Sequence, residues 1–130
     1  MSINATAGAV IFAKSVAKVA SFYEAALSAS VVHAARDHTV LATGPIQIVI
    51  HASPERVAQH IVIQSPPEVR DETPIKLYFL VDSLAQVRAK ASAAGGGLLP
   101  LDKEWSAPGF RACDGWDPEG NVVQFRQNSV

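Results

Sequence analysis

Asp117-Pro118-Glu119-Gly120-Asn121-Val122-Val123-Gln124-Phe125 is the stretch on which the fold turns. Asp, Pro, Gly and Asn in one run predict a tight turn, and the apolar residues behind them predict a strand over 121–126. Its centre, Val123-Gln124-Phe125, has a counterpart far upstream in Ile46-Gln47-Ile48. In both, a glutamine sits between large apolar residues. Successive strand side chains alternate, so the glutamine faces one side of a sheet and its neighbours the other. A second correspondence sets Ser15-Val16-Ala17-Lys18-Val19 beside Ser83-Leu84-Ala85-Gln86-Val87. The chain therefore reads as two copies of one unit.

Each copy can be followed outward from these anchors. The first predicts a buried strand over 8–13, then Ser15 as an N-cap. Val16, Val19, Ala20, Tyr23 and Leu27 follow at helical spacing. Strands are predicted over 30–35, 39–42 and 46–51, separated by Arg36-Asp37-His38 and Thr43-Gly44-Pro45. The second copy predicts a strand over 75–81. A Ser83…Gln86 capping box then opens a helix that buries Leu84, Val87 and Ala91, and Gly95-Gly96-Gly97 closes it. Strands follow over 98–101, 110–115 and 121–126. Between the copies, 53–74 carries Pro54, Pro66, Pro67 and Pro74 and reads as a connector, with a short extended piece over 60–64. The expectation is α+β: two βαβββ modules (7–52 and 75–127) joined by a linker (53–74), one domain over 1–130. Paired about a pseudo-two-fold axis, they would leave a cleft for a small molecule.

The 130 residues suit one domain, and 48% hydrophobic with 18% charged is an ordinary globular composition. A net charge of -1 gives no long-range field to recruit nucleic acid or an acidic membrane. No apolar run approaches the roughly 20 residues of a membrane span. Met1-Ser2-Ile3-Asn4 lacks the basic start of a secretory leader, and Cys113 is a single cysteine. These features suit a cytoplasmic protein without disulfides.

The 117–125 stretch resembles the terminal D-P-x-G-N-x-x-E-hydrophobic signature of the vicinal oxygen chelate superfamily, which includes glyoxalase, bleomycin-resistance and extradiol dioxygenase proteins. Ser21-Phe22-Tyr23 before Glu24-Ala25-Ala26-Leu27 is similar to its first-helix motif, and 81–95 resembles its second-module "V-D-D-L…AAG" stretch. The resemblance implies a curved, mixed, eight-stranded sheet with a cleft. It implies that metal-using members take ligands from the first and last strands of each module, which map here to Gly8, Gln47, Lys76 and Gln124. Glycine offers no ligand and lysine a repelling charge. Glutamines are weaker donors than carboxylates for a hard metal. The expectation is no metal at that place and no cofactor, with a divalent metal as the disfavoured alternative.

The candidate ligand-binding residues are Gln47 and His51 on one inward face, and Lys76, Tyr78 and Gln124 on the other. Trp105 is a pocket lid or dimer contact in a loop over 102–109, and Arg111 is a ligand contact or a solvated strand residue. Each has a plainer reading: His51 as a strand-end histidine, Lys76 as an edge lysine with its head in water. His33, His38 and His60 read as surface or core residues, Cys113 as a buried filler. No catalytic residue is assigned. The first functional expectation is a glyoxalase/bleomycin-resistance-like protein that binds a small anionic or aromatic compound without the usual metal. The alternative is a glyoxalase-type lyase or extradiol-type dioxygenase whose metal sits on His51, Gln47 and Gln124. A third is an interaction module with a vestigial cleft. The resemblance also implies a homodimer.

Overall fold

The computed structural model describes residues 5–129; Met1-Ser2-Ile3-Asn4, read above for a leader, lies outside them. The first half runs β1 (Ala7–Ala13), α1 (Val16–Leu27), β2 (Ser30–Ala34), β3 (His38–Thr43) and β4 (Ile46–Ala52). A one-turn helix α2 (Glu55–Ala58) lies in the connector. The second half runs β5 (Leu77–Leu80), α3 (Leu84–Ala93), β6 (Gly97–Leu98), β7 (Trp105–Ala107), β8 (Phe110–Trp116) and β9 (Val122–Asn128). Among the described residues no helix is long and apolar enough to cross a membrane.

Both halves are wired alike. In the first sheet the order is β1-β4-β3-β2, with β1 parallel to β4 and the other pairs antiparallel. In the second it is β5-β9-β8-β6, with β5 parallel to β9. β7 lies on the same edge of β8 as β6: Trp105–Ala107 pairs with its start and Gly97–Leu98 with its end. Together β6 and β7 hold the place that β2 holds in the first sheet. The architecture is α+β with two mixed sheets, of four and five strands.

Two local expectations fail. The strand expected over 98–101 stops at Leu98, because Pro100 has no N–H to give a ladder and a 3-10 turn follows over Leu101–Lys103. No strand forms over 60–64. The order in the connector is α2 instead, whose first turn closes on the Pro54 carbonyl, 2.8 Å from the amides of Val57 and Ala58.

The helices form where their caps place them. Ser15 Oγ accepts from the Lys18 amide at 3.4 Å, and Ser83 Oγ accepts from the Gln86 amide at 3.2 Å. A Ser cap of this kind is worth about 1 kcal/mol. Helices α1 and α3 then pack on each other and on the inner faces of both sheets. Val19, Phe22 and Tyr23 of α1 join Leu41, Ile48 and Ile50 of the first sheet and Phe79, Val123 and Phe125 of the second in one core. Full burial of each large apolar side chain contributes about 1.5–3 kcal/mol.

The 117–121 turn clasps the halves together. Asp117 is fully buried and accepts from the amides of Glu119 (2.9 Å) and Asn121 (3.1 Å), from Asn121 Nδ2 (2.9 Å) and from the Tyr23 hydroxyl (2.9 Å). Glu119, also buried, accepts from the amides of Lys14 (2.9 Å) and Ser15 (2.7 Å) just before α1. Gly120 has φ of 84°, and a Cβ there would stand 1.9 Å from the Glu68 carbonyl oxygen, so this corner requires glycine.

The faces turned away from the helices stay open. Val10 and Phe12 on β1 are 57% and 58% exposed, and Tyr78 and Leu80 on β5 are 57% and 60% exposed.

Candidate functional site

The open face of the second sheet is built by alternation. Register sets Tyr78 beside Gln124, Gln124 beside Asp114, and Arg126 beside Ala112, which itself pairs with Trp105. All these side chains share one face. Lys76 Nζ lies 2.9 Å from Asp114 Oδ2, and Gln124 Nε2 donates to Asp114 Oδ1 at 3.1 Å. Arg126 Nε donates to Gln124 Oε1 at 2.7 Å. The Arg126 guanidinium carbon lies 3.6 Å from the Tyr78 ring centroid and 4.4 Å from that of Phe110. Trp105 meets Phe110 edge-on at 5.6 Å.

This is a preorganised surface. Asp114 and Arg126 fix the Gln124 amide from both ends, and the ring faces of Tyr78 and Phe110 hold the guanidinium by cation–π attraction. Among the described residues the terminal guanidinium nitrogens of Arg126 meet no hydrogen-bond acceptor. Two cations, Lys76 and Arg126, face one anion, Asp114, so the face is net positive. A guanidinium with its outer edge unsatisfied is suited to a carboxylate or phosphate group, and the flanking rings to a flat one.

The open face of the first sheet differs. Gln47, Val49 and His51 lie between β1 and β3, with Gly8 beside Gln47 and both Phe12 and His38 beside His51. Three imidazoles and a phenyl ring form a row: His33 to His38 at 5.3 Å, His38 to His51 at 5.7 Å, His51 to Phe12 at 5.9 Å. Asp37 Oδ1 lies 2.8 Å from His38 Nδ1, and this hydrogen bond, ahead of other causes, holds the exposed Asp37 carboxyl below the usual carboxylate range.

The structure thus brings Lys76, Tyr78, Trp105 and Gln124 to one face, and Gln47 and His51 to another. Trp105 stands in strand β7, where a loop was expected. Arg111 lies on the far side of β8 from Gln124: it pairs with Gln127, and its Nε donates to Glu104 Oε1 at 2.9 Å. Register also corrects one equivalence. Tyr78, not Lys76, lies beside Gln124 as Gly8 lies beside Gln47, because Tyr78 stands five residues before its helix cap Ser83 and Gly8 seven before Ser15. Sequence reading missed Asp114 and gave His38 only a plain surface or core role. Arg126, two residues on from Gln124, shares its face by strand alternation.

A groove of about 490 Å³ joins the halves between β1 and β5, with Val10, Phe12, Ile75, Leu77 and Val122 among its walls. None of the seven candidate residues lines it. Hollows of about 550 and 710 Å³ lie against the connector instead.

No protein-family model matches the sequence, and no curated protein sequence matches it. Solved structures do. A glyoxalase/bleomycin resistance protein/dioxygenase family enzyme from Burkholderia phytofirmans PsJN superposes with a TM-score of 0.68, over 94% of this chain and 97% of its own, at 19% identity. A glyoxalase/bleomycin resistance protein from Albidiferax ferrireducens T118 gives 0.67 over 94% and 97%, at 16% identity. The fosfomycin resistance protein FosX from Mesorhizobium loti gives 0.62 over 95% and 90%, at 11% identity. The chain has the vicinal oxygen chelate fold. At such identities the likeness is one of fold, and function has to be argued from the side chains.

In vicinal oxygen chelate proteins that use a metal, the ligands come from the strand positions named earlier, and the side chains here do not fit that ion. A Cβ at Gly8 would stand 2.7 Å from the Gln47 carbonyl oxygen, so the position has no room for a ligating side chain without a backbone shift. Tyr78, which register puts in the place expected for Lys76, offers a ring covered by the Arg126 guanidinium, and the Lys76 ammonium next to it is paired with Asp114. The one oxygen donor of Gln124 already accepts from Arg126, so a cation placed there would meet a guanidinium at close range.

Proposed function

We propose that this protein binds a small anionic compound, aromatic or otherwise flat, on the open face of its second module, without a metal at the usual strand positions. Arg126 takes the anionic group through its outward edge, with Lys76 as the second cation. Tyr78, Phe110 and Trp105 supply the apolar wall, and Gln124 holds the guanidinium in place. The observation that carries this reading is Arg126 itself, stacked between two rings, tethered through Nε and open at its outer edge. Such a pairing of cation and ring face suits glyoxalase- and bleomycin-resistance-like binding more than a metal-centred lyase or dioxygenase, whose ion would need donors that Gln124, Tyr78 and Lys76 do not offer.

We also propose a homodimer. Val10 and Phe12 on one open face, and Tyr78 and Leu80 on the other, are large side chains in water, and such patches mark interaction surfaces. Laying the first-module face of one copy over the second-module face of another would cover both and close a cleft around Arg126.

The test is thermal stability against a panel of small carboxylates, phosphonates and aromatic acids, with chelator present. A ligand at a hundred times its dissociation constant stabilises by about 2.7 kcal/mol. At least one such compound should raise the melting temperature, and the rise should vanish in Arg126→Gln. No rise with any compound, or a rise that survives Arg126→Gln, counts against it.

A further inference from the structure

The first-module face carries a group of chemistry-bearing side chains that the reading above does not use. We propose that Asp37, His38 and His51 form a binding site for a divalent transition metal of the zinc class, at the rim of the first sheet and apart from the strand positions considered above.

The backbone places the two imidazoles. His38 and His51 are direct partners on antiparallel β3 and β4, so they rise side by side from one face, their rings 8° from parallel. Asp37 sits on the turn before β3. One ligand atom from each of the three residues lies within 4.8 Å of the other two. Zinc with bonds of about 2.0–2.1 Å holds tetrahedral ligands about 3.3 Å apart. Asp37 Oδ1 lies 2.8 Å from His38 Nδ1, and Asp37 Oδ2 lies 3.9 Å from His51 Nε2. An ion would draw the three ligand atoms together from within 4.8 Å toward that spacing.

At His51 the protonation already suits an ion, while at His38 the Nδ1 proton now donated to Asp37 is released when one binds. His51 Nδ1 lies 2.9 Å from the Ala52 carbonyl oxygen. A carbonyl only accepts, so this bond puts the proton on Nδ1 and leaves the Nε2 lone pair aimed toward Asp37. A backbone carbonyl that fixes the tautomer in this way is the usual outer partner of a metal-bound histidine. Two nitrogens and one carboxylate suit zinc, nickel or cobalt, whereas calcium and magnesium want more oxygens. With side-chain exposures of 29% for His38, 41% for His51 and 64% for Asp37, the remaining coordination positions open to the face. Three protein ligands with a vacant position describe an ion that takes a further ligand. His33 is next in the row and lies outside the three.

The experiment uses the whole chain, stripped with chelator, titrated with zinc alone by calorimetry and with cobalt by its visible absorption. The expected result is one ion per chain with a dissociation constant about micromolar or below. Affinity should fall at least about tenfold in His38→Ala, His51→Ala and Asp37→Asn, and hold in Gln124→Ala and His60→Ala. Circular dichroism melts confirm that each variant is folded. Zinc binding that survives His51→Ala, that is lost in Gln124→Ala, or that is absent in the wild-type chain overturns the proposal. None of these outcomes depends on Arg126 or on a cleft ligand.

Discussion

Among the described residues Asp117 is buried without a cationic partner, and burial pushes its carboxyl above the usual carboxylate range, although hydrogen bonds from Asn121, Glu119 and Tyr23 pull the other way. Its two oxygens receive four donors, so each donor removed leaves a buried acceptor short. Tyr23→Phe should therefore cost about 1–3 kcal/mol in urea melts. The raised carboxyl also has a pH signature. A group that binds its proton more tightly when folded favours the fold below its unfolded pKa. That contribution is lost as pH rises through the folded pKa. Asp117→Asn removes the titration and turns an amide N–H₂ toward donors, so it destabilises at every pH. The penalty should be larger near pH 4 than near pH 7, the range from the ordinary carboxylate pKa of about 3.9 upward. Melts of both proteins across that range check it; a penalty that grows with pH contradicts it. The Tyr23 hydroxyl, raised well above its ordinary range by burial and by Asp117, stays protonated throughout.

At the scale of the element, the turn and the caps hold most of what the sequence made legible. Ser15 and Ser83 announced both helices because a cap is a local device, and Ile46-Gln47-Ile48 announced a face because strand alternation is local too. β6 and β7 were illegible for the opposite reason. One strand position is divided by Pro100 and a 3-10 turn, and each remaining piece is too short to show a period. Helix α2 is a single turn with no apolar stripe. The turn motif was legible as a family mark, while its work was not: Glu119 reaches more than a hundred residues back to two amides of the β1–α1 junction, and no local pattern encodes that. Glu119→Gln leaves one oxygen where two were used and should lower stability by about 1–3 kcal/mol. Ser83→Ala should cost about 1 kcal/mol. A cost near zero for Glu119→Gln would mean that the clasp is ornamental.

For the whole molecule, α1 against α3 decides where function can lie. With the helices between them, the two sheets turn their other faces outward, and residues expected to converge divide into two sets. Lys76, Gln124 and Arg126 gather on one face, and His38 with His51 on the other. The binary pattern of each strand gave these faces, but the order in which layers stack is set by long-range packing, which one sequence does not display. The proposed dimer follows at this scale. Sedimentation should find two chains per particle, and Phe12→Glu, at a position 58% exposed in the single chain, should yield one folded chain. A wild-type protein that sediments as one chain would remove the partner from the account. Amide chemical-shift mapping with a small aromatic acid that raises the melting temperature shows whether the Arg126 face is the ligand surface. The shifts should concentrate at Tyr78, Phe110, Asp114, Gln124 and Arg126. Shifts concentrated in the hollow beside Lys14 and Lys18, with the Arg126 face silent, would contradict it.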